Sequence, residues 1–167
     1  KDVKLCTALI GQWRDVVLEN PYLTYALWCN KLEAENKQGN IPAAECREII
    51  RKLSFKSFEA KYKTLIIWLP EFLGNEGNIL LKLIEEPPPD TILLFVGQET
   101  DRILNTIISR TQLLKINKIS EEDLQSTLID KYSLNEDESN ELLFIANGDY
   151  ARALECLQNS DEQKFSI

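Results

Sequence analysis

The sequence predicts an α/β fold with a partial parallel sheet, followed by a small three-helix domain. Two apolar runs, at residues 64–69 and 91–96, are continuous in Leu, Ile and aromatic side chains, which is typical of parallel strands buried on both faces. The roughly 20 residues between them are too many for a hairpin and carry a helical pattern, so a helical crossover is expected. The crossover ends at the EEPPP stretch of residues 85–89, where paired prolines stop a helix and favour an extended entry into the next strand.

Three helices are expected before the first strand. Apolar residues recur at helical spacing between Leu5 and Leu18. Thr24 is a typical N-cap for a second helix, and Pro42 suits the first turn of a third. The third helix should bury a stripe of four residues on one face: Cys46, Ile49, Ile50 and Leu53.

Beyond residue 116 the pattern changes to three further helices. Ser120 begins the first of them with a capping signature, either Asn135 or Glu136 can open the second, and Gly148 is a typical helix stop. Asp149 can cap the third. We place the domain boundary near Asn117, which assigns residues 1–117 to the α/β core and residues 118–167 to the helical domain.

The composition excludes several classes of function. The net charge of −8 and the sequence pI of about 4.7 argue against broad, non-specific binding to a nucleic-acid backbone. The four cysteines are scattered and the chain has no His, so we expect reduced thiols and no zinc site built from this chain alone. No apolar run reaches the roughly 18 residues that cross a membrane. One basic stretch is either a solvated linker or a phosphate contact: Lys52, Lys56, Lys61 and Lys63.

Two motifs carry a family resemblance. The sequence LLKLIEEPP at residues 80–88 lies between the predicted strands and is followed by ILNTIISRTQ at residues 103–112. This order resembles the AAA+ clamp-loader subunits of bacterial DNA polymerase III, most closely those of the delta prime type. The resemblance implies part of a P-loop-type AAA+ core with the helical domain as its lid. It also implies that the chain is an internal piece of a longer protein, whose earlier residues hold the rest of the core.

The same resemblance implies a subunit without its own ATPase site. Hydrolysis needs a phosphate-binding loop and carboxylates for Mg²⁺ and water, and no glycine of the chain lies in a G-K-[ST] motif. Family ATPases end the first strand with Asp-Glu, where this chain has Trp68 and Leu69. A register shift onto Glu71 would still leave the cation ligand missing, and Gln98 follows Gly97 where those ATPases place a polar sensor. We therefore expect no cofactor or metal on this chain, with ATP and Mg²⁺ held by neighbouring subunits.

The SRT triplet of the second motif matches the family's SRC element. The resemblance assigns Arg110 the role of an arginine finger that acts in trans on a neighbour's γ-phosphate, with Ser109 supporting the turn. A permanently charged planar guanidinium suits the charge spread over phosphate oxygens. The alternative is an ordinary surface arginine at a helix end. The implied subunit interface consists of residues in or beside the two motifs: Glu85, Glu86, Pro87, Pro88 and Thr111.

Arg152 stands close to the position of a phosphate-sensing arginine in the lid of active relatives. It is offset by one residue, which turns a helical side chain by about 100°. We therefore expect Arg152 to be an ordinary surface residue.

The residues and the resemblance together predict a non-hydrolysing subunit of the polymerase III sliding-clamp loader, a component of a DNA-directed DNA polymerase holoenzyme. The expected partners are other loader subunits in a hetero-oligomer and, through the complex, the sliding clamp and primed DNA. The expected location is the cytoplasm. Two alternatives stay open: an ATP-hydrolysing motor subunit or related AAA+ ATPase, and an α/β interaction module unrelated to replication.

Overall fold

The structure is a computed structural model that describes residues 8–34, 38–57 and 60–164, with side chains as far as Leu157. The strands are β1 (Lys63–Trp68) and β2 (Thr91–Val96). The helices are α1 (Ile10–Glu19), α2 (Tyr25–Lys31), α3 (Ala43–Ser54), α4 (Leu81–Glu85), α5 (Asn105–Ile108), α6 (Glu121–Tyr132), α7 (Glu136–Ala146) and α8 (Tyr150–Lys164). Two segments form 3-10 helix, Pro70–Leu80 and Thr100–Arg102. No helix among the described residues is both long and apolar enough to cross a membrane.

The two strands pair in parallel, as the sequence predicts. The register runs from Lys63 opposite Thr91 to Trp68 opposite Val96, so the carboxyl ends of both strands lie at the same edge of the sheet. The next backbone hydrogen bond, from the Leu69 N–H to the Val96 carbonyl, is 2.8 Å long and continues the pairing.

The described residues cover one face of this sheet and leave the other exposed, which corrects the expectation of strands buried on both faces. Leu65, Ile67, Leu93 and Phe95 belong to the core or pack against it. The side chains that point the other way are exposed, namely Ile66, Ile92, Leu94 and Val96. The apolar runs that suggested two buried faces therefore belong here to strands with alternating exposure.

The crossover between the strands is mostly 3-10 helix, where the sequence predicted an ordinary helical segment. Leu69 adopts a left-handed conformation with φ 58° and turns the chain out of β1. Gly74, with φ 48°, then kinks the 3-10 segment in the middle. Only α4, the last part of the crossover, is regular α-helix, and it ends before the prolines as predicted.

The α/β unit is held together by a core formed from α3, the crossover, β1 and α5. Its buried members are Cys46, Leu53, Ile67, Leu73, Leu80, Leu83, Ile84 and Ile107. Ile49 packs against this core, but Ile50 is exposed, so the predicted stripe on α3 is one residue too wide. Pro42 precedes α3 as its N-cap in an extended conformation and is not in the first helical turn.

Part of the basic stretch has a structural use. The Lys63 ammonium donates hydrogen bonds to the carbonyls of Leu53 and Phe55, at 2.6 and 3.0 Å. A cation at this position pairs with carbonyls that a helix C-terminus leaves unsatisfied. Lys63 therefore closes α3, which favours the linker interpretation for this residue over a phosphate contact.

The helical unit begins each of its helices with the caps that the sequence predicts. The Ser120 hydroxyl accepts from the Asp123 N–H at 3.1 Å, Asn135 and Glu138 form a reciprocal capping box, and Asp149 accepts from the Arg152 N–H at 3.3 Å. Their buried side chains form a second core: Leu124, Leu128, Leu142, Ala146, Tyr150 and Ala153. At the edge of this core the hydroxyls of Tyr150 and the exposed Tyr132 lie 3.3 Å apart, and this hydrogen bond, with burial, raises the pKa of Tyr132.

The chain forms two compact units that differ from the predicted division. One consists of the described parts of residues 1–10 and 36–114, and the other of the described parts of residues 11–35 and 115–167. Residues 11–35, which the sequence assigned to the α/β core, thus group with the C-terminal helices. Two contacts explain this: the Thr24 hydroxyl donates to Glu155 at 3.2 Å, and the Tyr22 ring meets the Tyr150 ring edge-on at 4.4 Å.

Three cysteines lie among the described residues, and none of them forms a disulfide bond. Cys29 and Cys46 are buried and Cys156 is half-buried, while Cys6 lies outside the described residues. Burial, and secondarily the negative charge of Glu76, raises the pKa of the Cys46 thiol. A buried thiol that is harder to ionise is a packing residue and a poor nucleophile.

Candidate functional site

The two side chains at the end of β1 have no oxygen that could bind a cation. Trp68 is the last residue of the strand and is half-buried, and Leu69 follows it fully buried in its left-handed turn. Neither side chain can ligate Mg²⁺ or polarise water. Among the described residues, no group of three or more His, Cys, Asp or Glu side chains could hold a metal ion.

Glu71 lies beside this strand end, and its carboxylate is bound to the protein backbone. One oxygen, Oε1, accepts the N–H groups of Gln98 and Glu99, at 3.1 and 3.4 Å. The other oxygen, Oε2, is buried without a hydrogen-bond partner among the described residues. A Cβ added at Gly97 would lie 3.1 Å from this oxygen. Glu71 therefore links the crossover to the loop after β2. Its carboxylate binds backbone amides there and does not take the place of the missing Asp-Glu pair.

The loop after β2 leads through a 3-10 turn into α5, which presents Arg110. This helix has only four residues and is anchored by Ile107, which is buried in the core. It packs closely because Gly77 faces it: a Cβ there would lie 3.0 Å from Ile107 and 3.2 Å from Leu104. Arg110 follows this helix in a turn, and its backbone N–H donates to the Ile107 carbonyl at 3.1 Å.

The two neighbours of Arg110 stabilise this turn. The Thr111 hydroxyl donates to the carbonyls of Ile107 and Ile108, at 3.1 and 3.3 Å. The Ser109 hydroxyl donates to the Thr106 carbonyl and accepts from Arg110 Nη1, each at 3.3 Å. Both hydroxyls thus satisfy helix-end groups, and Ser109 also orients the guanidinium.

The fold brings the two sequence motifs into direct contact. Arg110 Nε donates to Glu85 Oε1 at 2.5 Å, and Nη1 donates to the Thr106 carbonyl at 3.0 Å. Both side chains of the ion pair are partly exposed, Arg110 at 37% and Glu85 at 46%. Sequence reasoning placed both residues in the site but missed their pairing, because they are 25 positions apart.

The other predicted site residues lie on the surface around this pair or away from it. Glu86 and Pro87 are exposed, and Pro88 is half-buried. Arg152 is exposed on α8. The side chain of Gln98 is exposed, and its backbone N–H donates to the Glu71 carboxylate.

Comparisons with known proteins identify the family. The family model described as DNA polymerase III, delta subunit matches residues 22–120, a range that includes both motifs. A DNA polymerase III gamma subunit from Buchnera aphidicola of Acyrthosiphon pisum is 31% identical over 122 residues, which cover 70% of this chain and 34% of that protein. The delta' subunit of Bacillus subtilis is 30% identical over 93 residues, 55% of this chain and 28% of that protein.

The fold agrees with these matches. A DNA polymerase III gamma subunit-related protein from Thermotoga maritima has a crystal structure that superposes with a TM-score of 0.56 and 25% identity, covering 72% of this chain and 39% of the other. The chain thus spans about a third of the length of these sequence relatives, at 34% and 28%. It carries an AAA+-like α/β fold, and it belongs to the DNA polymerase III delta subunit family, among the clamp-loader subunits.

Proposed function

We propose that this chain is part of a non-hydrolysing clamp-loader subunit of the delta prime type, which presents Arg110 to the nucleotide of a neighbouring ATPase subunit. The partners are the other loader subunits and, through them, the sliding clamp and primed DNA. The neighbouring subunits supply ATP and Mg²⁺. Relatives that belong to the replication machinery support a cytoplasmic location.

The observation that carries this proposal is the way in which Arg110 is held. Its Nε and Nη1 are bonded to Glu85, Thr106 and Ser109, and none of these bonds uses Nη2. Nη2 therefore remains available for a phosphate oxygen. Such a preoriented cation can stabilise charge that develops on a transferring phosphoryl group.

The strand ends support the absence of hydrolysis in this chain. Trp68 and Leu69 provide no anionic oxygen, and the Glu71 carboxylate is bound to the Gln98 and Glu99 amides. A carboxylate committed in this way is not positioned as a free ligand for Mg²⁺ or as a base for water.

Replacing Arg110 with alanine in the full-length protein tests the proposal. In a reconstituted loader, DNA-stimulated ATP hydrolysis should fall by about tenfold or more. An arginine finger can contribute roughly 10³–10⁵ to the rate of the site that it serves. Phosphate release is measured after sedimentation has shown equal assembly.

Arg102→Ala is the matched control. Arg102 is also a partly exposed arginine that pairs with a glutamate, at 2.8 Å from Glu99. It should leave the rate unchanged. A loader with Arg110→Ala that assembles and hydrolyses ATP at the wild-type rate would leave Arg110 as a surface residue and the subunit as a scaffold.

The gamma-type relatives favour one alternative, an ATP-hydrolysing motor subunit. Under that alternative the isolated full-length protein hydrolyses ATP in the presence of Mg²⁺. We expect no hydrolysis above the buffer background, because the described chain has no carboxylate free at the end of β1. Sustained phosphate release by the isolated protein, abolished by an alanine at a nucleotide-binding position of its own, would favour the motor instead.

A further inference from the structure

We propose that Glu85 is a positioning residue for the Arg110 guanidinium. The inference rests on the proposed function and goes beyond it, since it gives one glutamate of the LIEEPP motif a defined task. Its starting point is the 2.5 Å hydrogen bond from Arg110 Nε to Glu85 Oε1.

The contact joins two elements that are anchored in the same core. Glu85 is the last residue of α4, directly after the buried Ile84 and ahead of the helix-ending prolines. Arg110 follows α5, which Ile107 anchors in the same core. Thr106 and Ser109 hold the guanidinium from its own helix, and Glu85 holds it from the other.

The direction of the contact suits a finger. Glu85 binds Nε, and Thr106 and Ser109 bind Nη1, so these contacts leave Nη2 free. A long side chain loses rotamer freedom when it docks on a ligand, and less is lost if it is already oriented.

The pair is a weak candidate for a purely structural role. Both partners are more than a third exposed, and ion pairs of this kind contribute little to folding stability. A variant that breaks the pair should therefore fold and assemble, so that its effect on the neighbour's chemistry can be measured separately.

Glu85→Ala in the reconstituted loader is the first test. ATP hydrolysis should fall by about tenfold, since misplacement of a catalytic group by 1 Å can cost roughly 10²-fold. Glu85→Gln should recover part of the rate, because its amide oxygen can still accept from Nε. The control is Glu48→Ala, which removes a 2.7 Å ion pair with Arg51 in the same unit and should leave the rate unchanged. A higher rate for Glu85→Ala would mean that Glu85 holds Arg110 back from the nucleotide, and this result would refute the positioning role.

A double-mutant cycle separates this inference from the proposed function. If Glu85 acts through Arg110, Glu85→Ala has no further effect in a loader that already carries Arg110→Ala. An equal fall in both backgrounds would refute positioning. A normal rate for Arg110→Ala alone would refute the proposed role of Arg110 as an arginine finger. A reduced rate for Arg110→Ala together with a normal rate for Glu85→Ala would refute only the positioning role of Glu85.

A spectroscopic measurement provides a readout that does not depend on hydrolysis. In the ¹⁵N-labelled full-length protein, the Arg110 Nε–Hε signal should exchange slowly with water. It should exchange several-fold faster in Glu85→Ala and remain unchanged in Glu48→Ala. Equal exchange in the wild type and Glu85→Ala would show that the pair does not order the guanidinium.

Discussion

Leu128→Ala is expected to lower the free energy of unfolding of the helical unit by about 2–5 kcal/mol, the usual cost of truncating a buried leucine. Leu128 is 0% exposed, and it lies on α6 among residues of α7 and α8. The loss combines the transfer free energy of the deleted carbons with the cavity left between three helices. Small helical units have few such residues, so one truncation removes a large share of the stability.

Phe144→Ala is the matched control for this prediction. Phe144 is larger than Leu128 but 89% exposed on α7, so its truncation should change the unfolding free energy by less than about 0.5 kcal/mol. Urea unfolding of the full chain, with hydrogen exchange resolved for α6–α8, measures both variants. Similar losses for Leu128→Ala and Phe144→Ala would contradict the packing of this core.

Glu71→Ala is expected to destabilise the α/β unit by about 2 kcal/mol or more. It removes the acceptor for two backbone N–H groups, those of Gln98 and Glu99, and an unsatisfied buried donor costs about 1–3 kcal/mol. Glu71→Gln should be much milder, because its amide oxygen can replace Oε1 and it removes the charge of an oxygen that has no hydrogen-bond partner among the described residues.

Exchange of the Gln98 and Glu99 amide protons gives a direct readout for this second prediction. Both should exchange faster in Glu71→Ala and stay protected in Glu71→Gln. Glu76→Ala, an exposed glutamate in the same 3-10 segment, is the control and should leave these two amides unchanged. If they keep their protection in Glu71→Ala, Glu71 does not hold the loop.

The parts of the fold that sequence could predict are those set by local signals. The parallel strand pair followed from two apolar runs and the distance between them, and the caps at Ser120 and Asn135 from short-range side-chain chemistry. The 3-10 character of the crossover depends on conformations at Leu69 and Gly74 that no periodicity encodes. Exposure of one sheet face also escaped prediction, because an apolar strand composition does not reveal whether a second layer covers it.

In the candidate site, too, the features set by local sequence were predictable and those set by packing were not. The motif around Arg110 was visible in the sequence, as was the missing Asp-Glu pair at Trp68 and Leu69. The Glu85 contact was not, because it depends on how α5 packs against α4. Glu71 was considered only as a substitute ligand, yet parallel strands end at one edge, and a side chain after β1 can therefore reach the loop after β2.

The exposed sheet face also affects how the solubility of the isolated chain depends on salt and pH. Ile66, Ile92, Leu94 and Val96 form an exposed apolar strip, while a net charge of −8 makes the molecules repel one another at neutral pH. Screening shortens from about 30 Å at 0.01 M salt to about 3 Å at 1 M, so added salt weakens the repulsion and leaves the apolar attraction intact. Purification in high salt, which helps to dissolve many charge-driven assemblies, would here promote precipitation, as would a buffer near the pI of about 4.7.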